Sequence, residues 1–283
     1  MLRIRHILLP YDFSDRCDAT APCAADLARR FDARLTMLTV VPPVWHNSPE
    51  PKLAVAWFDS QRLQAILNEA LREDFDGLKV ERVCQQGDPA ATILDYAHSK
   101  RADVIMMPTH GYGPFRSLLL GSVTAKVLHD ARCPVWTAAH SEELPEEAED
   151  PNSVLCAVDG SPKSVALIRW AADWAEATDA DLRLVHAVHM VTDMPRLKSE
   201  QALQEQARQD AKAAVEKHLQ ESGVEAPLSV INGSVGEVVH DEAARMRAGI
   251  VVIGRGVLHG TLGRLRTHAY SIIRQSPCPV LSV

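Results

Sequence analysis

The sequence contains two copies of one pattern, so its fold must accommodate the same unit twice. The run ILLPYDFS at 7–14 returns 147 residues later as VLCAVDGS at 154–161. Further matches keep an offset of 145 to 147 residues: Asp32-Ala33-Arg34-Leu35 with Asp179-Ala180-Asp181-Leu182, Gly87 with Gly233, Asp95 with Asp241, and Cys133-Pro134-Val135 with Cys278-Pro279-Val280. Because the drift over a whole copy is so small, we interpret the chain as a tandem duplication.

An acidic segment bounded by proline separates the two copies. Residues 141–151 have the sequence SEELPEEAEDP, which offers almost nothing that a core could bury. Like charges repel one another and favour an extended, solvated linker. The 283 residues are therefore predicted to form a first domain at 1–140, a linker at 141–151 and a second domain at 152–283, which matches the ordinary size of domains.

Each copy alternates short apolar runs with segments of helical period. In the first copy, strands are predicted at 7–9, 35–41, 78–84, 104–107 and around 135, and helices at 14–30, 58–75, 88–99 and 121–130. The second copy repeats this order, with a longer second helix that Gly223 ends. Such alternation predicts an α/β protein of two tandem, doubly wound parallel-sheet, Rossmann-like domains. Ligands of these sheets bind beyond the carboxyl ends of the strands, where the strand order reverses.

Composition narrows the classes of function. A net charge of −7 argues against a nucleic-acid binder, which needs a basic surface to neutralise phosphates. No apolar run approaches the length of a membrane span, and the amino terminus leads into a strand without the pattern of a signal peptide. We therefore expect a cytoplasmic protein with no membrane partner. The six cysteines form no CxxC pair, so they are interpreted as free thiols.

The strand ends carry the residues that suggest a ligand. Asp12 and Asp159 directly follow the first strand of each copy, where a carboxylate can accept hydrogen bonds from a ribose hydroxyl or the adenine amino group. A role in capping the next turn is the alternative, and the two roles are compatible. The exit of the fourth strand contains Gly111 and leads to Gly121-Ser122 at a predicted helix start, where backbone N–H groups favour an anion.

Taken together, these motifs resemble the universal stress protein family over essentially the whole chain, once per copy. The shared pattern is Asp12 after strand one, His110-Gly111, a nine-residue spacer, Gly121-Ser122-Val123, and Cys-Pro-Val before the last strand. The ATP-binding branch of that family carries Gly-x-x-Gly, nine residues and Gly-Ser/Thr. Gly111 and Gly121-Ser122 match the later elements, but Pro108 occupies the first and has no N–H to donate. The resemblance implies a site for ATP or another adenine nucleotide, with or without Mg²⁺, mainly in the first domain.

The second copy departs from the pattern in another way. Gly254 retains the first glycine, but the helix start is Arg266-Thr267-His268. Thr267 can cap the helix, whereas Arg266 places a long cation where the cradle needs no side chain. We interpret this copy as a degenerate pocket, with phosphate contacts from Arg255, Arg264 and Arg266 outside the cradle as the alternative. His186 and His189, at a strand end, are interpreted as structural.

The leading hypothesis is a stress-responsive regulatory protein that binds an adenine nucleotide and has no fast chemistry of its own. A slow ATP hydrolase and a nucleotide-free protein-interaction module are the alternatives, and no catalytic or metal-binding residue is assigned. The candidate nucleotide-binding residues are Asp12, Val40, Thr109, His110, Gly111, Gly121, Ser122, Val123, Thr124, Asp159, Gly254 and Thr267.

The resemblance also implies how the domains associate. Members of the family typically dimerise through the last strand of each domain, so the strands at Val135 and Val280 are expected to pair across an internal pseudo-two-fold axis. One chain would then imitate a family dimer as an internal pseudo-dimer. Assembly of two chains into a homodimer and the identity of the protein partner stay open.

Overall fold

The structure is a computed structural model that describes residues 2–42, 60–110, 120–138, 153–188, 198–255 and 265–283. The chain divides into two compact units, Arg3–Ala138 and Ala139–Val283, the latter together with Met1–Leu2. The predicted linker at 141–151 and the candidate residue Gly111 lie outside the described residues. Each unit is a doubly wound α/β domain, which confirms the fold class predicted from the alternation of strands and helices.

The first unit builds a parallel sheet from strands that alternate with helices. Its described strands are β1 (His6–Pro10), β2 (Arg34–Val41), β3 (Val80–Gln86), β4 (Val104–Met107) and β5 (Val135–Thr137). Its described helices are α1 (Asp15–Phe31), α2 (Ser60–Glu69), α3 (Pro89–Ser99) and α4 (Ser122–Asp130). The strand order is β3-β2-β1-β4-β5, with every neighbouring pair parallel. The order therefore reverses between β1 and β4.

The second unit has the same organisation. Its described strands are β6 (Ser153–Ala157), β7 (Asp181–Val188), β8 (Leu228–Asn232), β9 (Ile250–Ile253) and β10 (Val280–Ser282). Its described helices are α5 (Ser164–Thr178), α6 (Lys198–Ser222), α7 (Val235–Met246) and α8 (Leu265–Gln275). The parallel order β8-β7-β6-β9-β10 places the reversal between β6 and β9.

The strands β1 and β4 lie at the centre of the sheet because their sequences are mostly apolar. All five residues of β1 and all four of β4 are buried, as expected of parallel strands that helices cover on both faces. β3 is only partly buried, as its alternating polar residues predict. The core thus lies around β1 and β4, and the reversal of strand order falls next to it.

Local signals in the sequence set several helix ends. The Ser14 side chain accepts a hydrogen bond from Cys17 N at the start of α1, and Asp88 accepts one from Ala91 N at the start of α3. Asp32 and Asp179, which the duplication aligns, end α1 and α5 in the left-handed conformation, with φ of 48° and 54°. Aspartate is one of the few residues that tolerate this conformation.

One helix boundary differs from the sequence-based expectation. The helical period predicted a helix over 58–75, but α2 ends at Glu69 and turns follow it. Leu71 adopts a φ of 51°, which no α-helix accommodates. Phe75, in the turns that follow α2, is also buried, so the apolar spacing continues beyond Glu69. The periodicity alone therefore could not locate the end of this helix.

Candidate functional site

A cavity of about 310 Å³ opens at the carboxyl ends of the central strands of the first unit. It lies where the strand order reverses between β1 and β4, the position at which doubly wound sheets bind their ligands. Seven of the predicted residues line it: Asp12, Val40, His110, Gly121, Ser122, Val123 and Thr124. Thr109 is buried but does not belong to the lining.

Asp12 is held by a tight turn between β1 and α1. Its Oδ1 accepts hydrogen bonds from Ser14 N at 3.0 Å, Ser14 Oγ at 2.6 Å and Cys17 Sγ at 3.1 Å. Among the described residues, every hydrogen bond to this carboxylate reaches Oδ1. The turn therefore fixes the side chain through one oxygen, Oδ1.

The turn itself requires an unusual backbone conformation. Phe13 has a φ of 62°, and Gly160, the equivalent residue of the second unit, has a φ of 73°. Glycine adopts this left-handed conformation without steric cost, whereas an aromatic residue is strained in it. The Phe13 ring packs edge-on against Tyr11, with 4.8 Å between centroids. Burial, together with a hydrogen bond to Asp18, raises the pKa of Tyr11.

Cys17 contributes a buried thiol to the lining. Burial, reinforced by the negative charge of Asp12, raises the pKa of this thiol well above its usual range. The group therefore stays protonated and donates to Asp12 rather than acting as a thiolate nucleophile. The sequence analysis did not single out this residue as part of the site. Cys17 follows Asp12 by five residues, and Ser164 follows Asp159 by the same spacing in the second copy. This repeated spacing was the signal that could have identified Cys17.

The start of α4 forms another part of the cavity wall. Gly121 occupies the N-cap position, and no side-chain hydrogen bond caps this helix, in contrast to α1 and α3. Gly121 N donates to Thr109 O at 2.9 Å, and a Cβ at position 121 would lie 3.3 Å from that same oxygen. The close approach of the two backbone segments explains why glycine stands here.

Two other predicted residues stabilise the wall itself. The Thr124 hydroxyl donates to Pro108 O at 3.1 Å, which ties α4 to the exit of β4. His110 is buried, and its Nδ1 accepts from Arg16 Nη1 at 3.3 Å. Since a guanidinium can only donate, the proton of a neutral His110 ring is on Nε2. Pro108 lines the cavity without an N–H.

Residues from further elements complete the lining. Leu38 lies two positions before Val40 on β2, and Pro89 and Ile93 lie four apart on α3. The sequence analysis did not name these three residues. The strand period of two and the helix spacing of four would have indicated that the members of each pair share a face.

The second unit contains a cavity of about 380 Å³ at the equivalent place. Asp159 and Gly254 line it, while the side chain of Thr267 lies outside the described residues. Asp159 Oδ1 accepts from Ser161 N at 2.9 Å and Ser164 Oγ at 3.1 Å. Burial acts to raise the pKa of Asp159, but these hydrogen bonds outweigh it and hold the pKa below its ordinary value.

Two kinds of feature are absent from the described residues. No helix among them is long and apolar enough to cross a membrane. No group of three or more histidine, cysteine, aspartate or glutamate residues among them is arranged to hold a metal ion.

Comparisons with known proteins agree with this architecture. The model of the universal stress protein family matches residues 3–138 and 152–283. A universal stress protein of Mycolicibacterium smegmatis is 31% identical over 204 residues, which cover 67% of this chain and 66% of that protein. One from Thermus aquaticus is 35% identical over 135 residues, covering 46% of this chain and 94% of the relative.

A solved structure extends the likeness to the full length. The crystal structure of a universal stress protein from Archaeoglobus fulgidus superposes with a TM-score of 0.67 at 20% identity, covering 99% of this chain and 96% of that one. At this identity the likeness concerns the fold, and the family-model matches to both halves provide the assignment. The chain therefore belongs to the universal stress protein family, with one family domain in each half.

Proposed function

We propose that this universal stress protein is a stress-responsive regulatory protein that binds ATP or a related adenine nucleotide in the first-unit cavity. The observation that carries the proposal is the presence of two features in the lining of that one cavity. Asp12 has its turn hydrogen bonds on Oδ1, which leaves Oδ2 as an acceptor, and α4 begins at Gly121 without a side-chain cap. In this role, a protein partner would bind the nucleotide-loaded form.

The two walls suit opposite ends of a nucleotide. A carboxylate oxygen accepts from ribose hydroxyls or from the adenine amino group. The uncapped first turn of α4 presents backbone N–H groups and the positive end of the helix dipole to phosphates. Between them the lining is mostly apolar, with Leu38, Val40 and Ile93 available to pack against a base. The cavity volume of about 310 Å³ falls within the range of small-molecule sites.

Pro108 removes one backbone donor from this wall. It lines the cavity but has no N–H, and its carbonyl oxygen accepts a hydrogen bond from Thr124. Of the described backbone, the start of α4 is the part of this wall that offers N–H donors to the phosphates. A nucleotide-free interaction role is the second candidate function, and Pro108 is the observation that favours it.

Isothermal titration of the full chain with ATP, ADP and AMP, each with and without Mg²⁺, tests the proposal. We expect saturable binding that Gly121→Val abolishes, because a branched side chain at this position meets Thr109 O and enters the cradle. Ala125→Val, on the same helix but outside the cavity lining, is the matched control and should bind as the wild type does.

The outcomes separate the candidate functions. Absence of heat with all three nucleotides would refute nucleotide binding and leave the interaction role. If Pro108→Gly then gained ATP binding, the first unit would be a site that the proline disabled. Phosphate release above the buffer rate that Gly121→Val removes would instead identify a slow hydrolase.

A further inference from the structure

β3 forms the edge of the sheet in the first unit, beside β2. Its register with β2 continues without a bulge from Val80 to Gln86, and these seven residues include neither proline nor lysine. Proline, lysine and bulges are among the devices that keep the backbone groups of an edge strand from pairing with another chain. β3 therefore depends on some other protection.

Alternate residues of β3 direct their backbone groups away from β2. Leu35 N, at the start of β2, donates to Lys79 O, so the odd-numbered residues face β2. Because the direction alternates along a strand, the even-numbered residues, such as Arg82 and Cys84, point their N–H and C=O groups outwards. An added strand must bond to these outward groups.

The side chain of Gln64, from α2, lies against the middle of this edge. Its Nε2 donates to Arg82 O at 2.9 Å, and its Oε1 accepts from Cys84 N at 3.0 Å. In a parallel ladder, each inward-facing residue of the neighbouring strand also donates to one carbonyl and accepts from the N–H two residues further along. The carboxamide of Gln64 therefore takes the place of one residue of an additional parallel strand, opposite Val83.

Further contacts hold the carboxamide in this position. Gln64 Nε2 also donates to Asn68 Oδ1 at 2.9 Å, so both donors and the acceptor oxygen of the amide are engaged. Leu63, on the same helix, is fully buried and anchors α2. Arg82 Nη2 donates to Ala70 O at 3.0 Å, which ties β3 to the residue that follows α2. These contacts fix Gln64 against the strand edge.

A second copy of this chain is the partner that the edge fits. Two β3 strands related by a two-fold axis run antiparallel, and the register that overlaps all seven residues puts Val83 opposite Val83 of the second copy. Glu81 then faces Gln85, and Arg82 faces Cys84, so no like charges oppose one another. This pairing needs Arg82 O and Cys84 N, the two groups that Gln64 occupies.

We propose that Gln64 closes the β3 edge against pairing with the same edge of a second copy, by standing in for a neighbouring strand. The chain thus carries a self-association surface that α2 keeps shut. A second β3 strand can pair there only after the Gln64 carboxamide has left Arg82 O and Cys84 N. This inference does not depend on nucleotide binding in the first-unit cavity.

Gln64→Ala removes the carboxamide and tests the proposal on the full chain. Sedimentation velocity over about a hundredfold range of concentration should show an association step that doubles the mass of the species formed by the wild type. In dilute Gln64→Ala, hydrogen exchange of Cys84 N–H should accelerate by about tenfold or more, because this group loses its acceptor. Val83 N–H, which faces β2, should exchange as in the wild type.

Gln206→Ala is the matched control. Gln206 Nε2 donates to Asp210 Oδ1 at 2.8 Å, four residues further along α6, just as Gln64 donates to Asn68 on α2. Within the described part of the chain, the Gln206 side chain makes no hydrogen bond to a strand. Gln206→Ala therefore removes the same helical contact and should keep the wild-type mass at every concentration.

Val83→Cys tests which surface associates. Opposed residues of a non-hydrogen-bonded antiparallel pair have Cα atoms about 4.5 Å apart, and a disulfide spans about 4.4–6.8 Å. Gln64→Ala with Val83→Cys should therefore form a disulfide-linked dimer under mild oxidation. Val83→Cys alone, in which the edge stays closed, should not, and Gln64→Ala alone measures any contribution of the native cysteines.

Three results would overturn the proposal. The first is an unchanged mass of Gln64→Ala at every concentration. The second is equal association of Gln206→Ala, which would indicate a general weakening of helices, and the third is association without the Val83→Cys disulfide, which would place the contact on another surface. Should Gln64→Ala unfold, Gln64→Glu must show the association instead, because its carboxylate accepts from Cys84 N but opposes Arg82 O with an oxygen that cannot donate.

Discussion

Asp12 has one role in the structure and a second in the proposed function, and two substitutions can separate them. The carboxylate holds the turn after β1 through Oδ1, and in the proposed function Oδ2 accepts from the nucleotide. Asp12→Ala removes both roles. Asp12→Asn keeps an acceptor oxygen for the turn but replaces the second oxygen with an NH₂ group, which only donates.

The geometry gives the expected magnitudes. Two strong donors, Ser14 N at 3.0 Å and Ser14 Oγ at 2.6 Å, lose their acceptor in Asp12→Ala. Hydrogen bonds to a charged group contribute about 1.5–3 kcal/mol each. Because the site is only partly buried, water recovers some of this, and we expect Asp12→Ala to lower the free energy of unfolding by about 2–4 kcal/mol. Asp12→Asn should cost about 1 kcal/mol.

Asp12→Asn should affect ATP affinity more strongly than it affects the free energy of unfolding. An NH₂ group cannot accept a hydrogen bond from a ribose hydroxyl or from the adenine amino group, so Asp12→Asn should weaken ATP binding about 10- to 100-fold, or about 1.4–2.8 kcal/mol. Urea unfolding measures the first quantity and isothermal titration the second. Asp159→Asn, the same change in the second unit, is the control and should leave first-site affinity unchanged. ATP affinity of Asp12→Asn within twofold of the wild type would show that Asp12 serves only the turn.

Two further predictions concern stability in the second unit. Arg245 donates to the buried Glu242 through Nε at 2.9 Å and Nη2 at 2.7 Å, and this pairing, together with a hydrogen bond from Ser229, holds the pKa of Glu242 below its ordinary value. The stabilisation is present above pH about 5 and disappears as the pH falls through the lowered pKa. Glu242→Gln should thus cost about 1–3 kcal/mol at pH 7 and much less at pH 3 by urea unfolding; an equal cost at both would contradict the assignment. Asp179→Gly should stabilise by about 0.5–1 kcal/mol in thermal unfolding, because glycine adopts the left-handed φ of 54° without steric cost. Asp179→Ala should give no such gain, and an equal gain would refute the conformational explanation.

The duplicated positions show how much of the fold follows from local sequence. Asp32 and Asp179 match in the two copies because both end a helix in the left-handed conformation. Gly87 and Gly233 match because a Cβ at position 87 would collide with Thr92 Oγ1, and one at position 233 would lie 2.8 Å from Val238 Cγ2. These requirements involve the backbone and near neighbours, so the sequence alone reveals them. The buried runs of β1 and β4 identified the sheet centre for the same reason.

The composition of the two cavities was less predictable. Asp12 and Gly121 were found because each stands at an element end with a recognisable local pattern. Cys17 and Ile93 were not, since each also fits the apolar face of its helix. His186 was interpreted as structural, which its hydrogen bond to Val158 O supports, but the same ring also lines the second cavity.

The sequence by itself determined the duplication, the parallel α/β architecture and the two acidic strand ends, because periodicity and turn chemistry act within a few residues. Only the tertiary structure decided which side chains face one another across each cavity. Lys163, His186, Arg255 and His268 come from four different elements and are separated by up to about a hundred residues. Their convergence depends on strand register and on the reversal of strand order between β6 and β9. The residue spacing within one segment reveals neither the register nor the strand order. The sequence therefore indicated a degenerate second pocket, whereas the structure shows a cavity lined by several basic side chains.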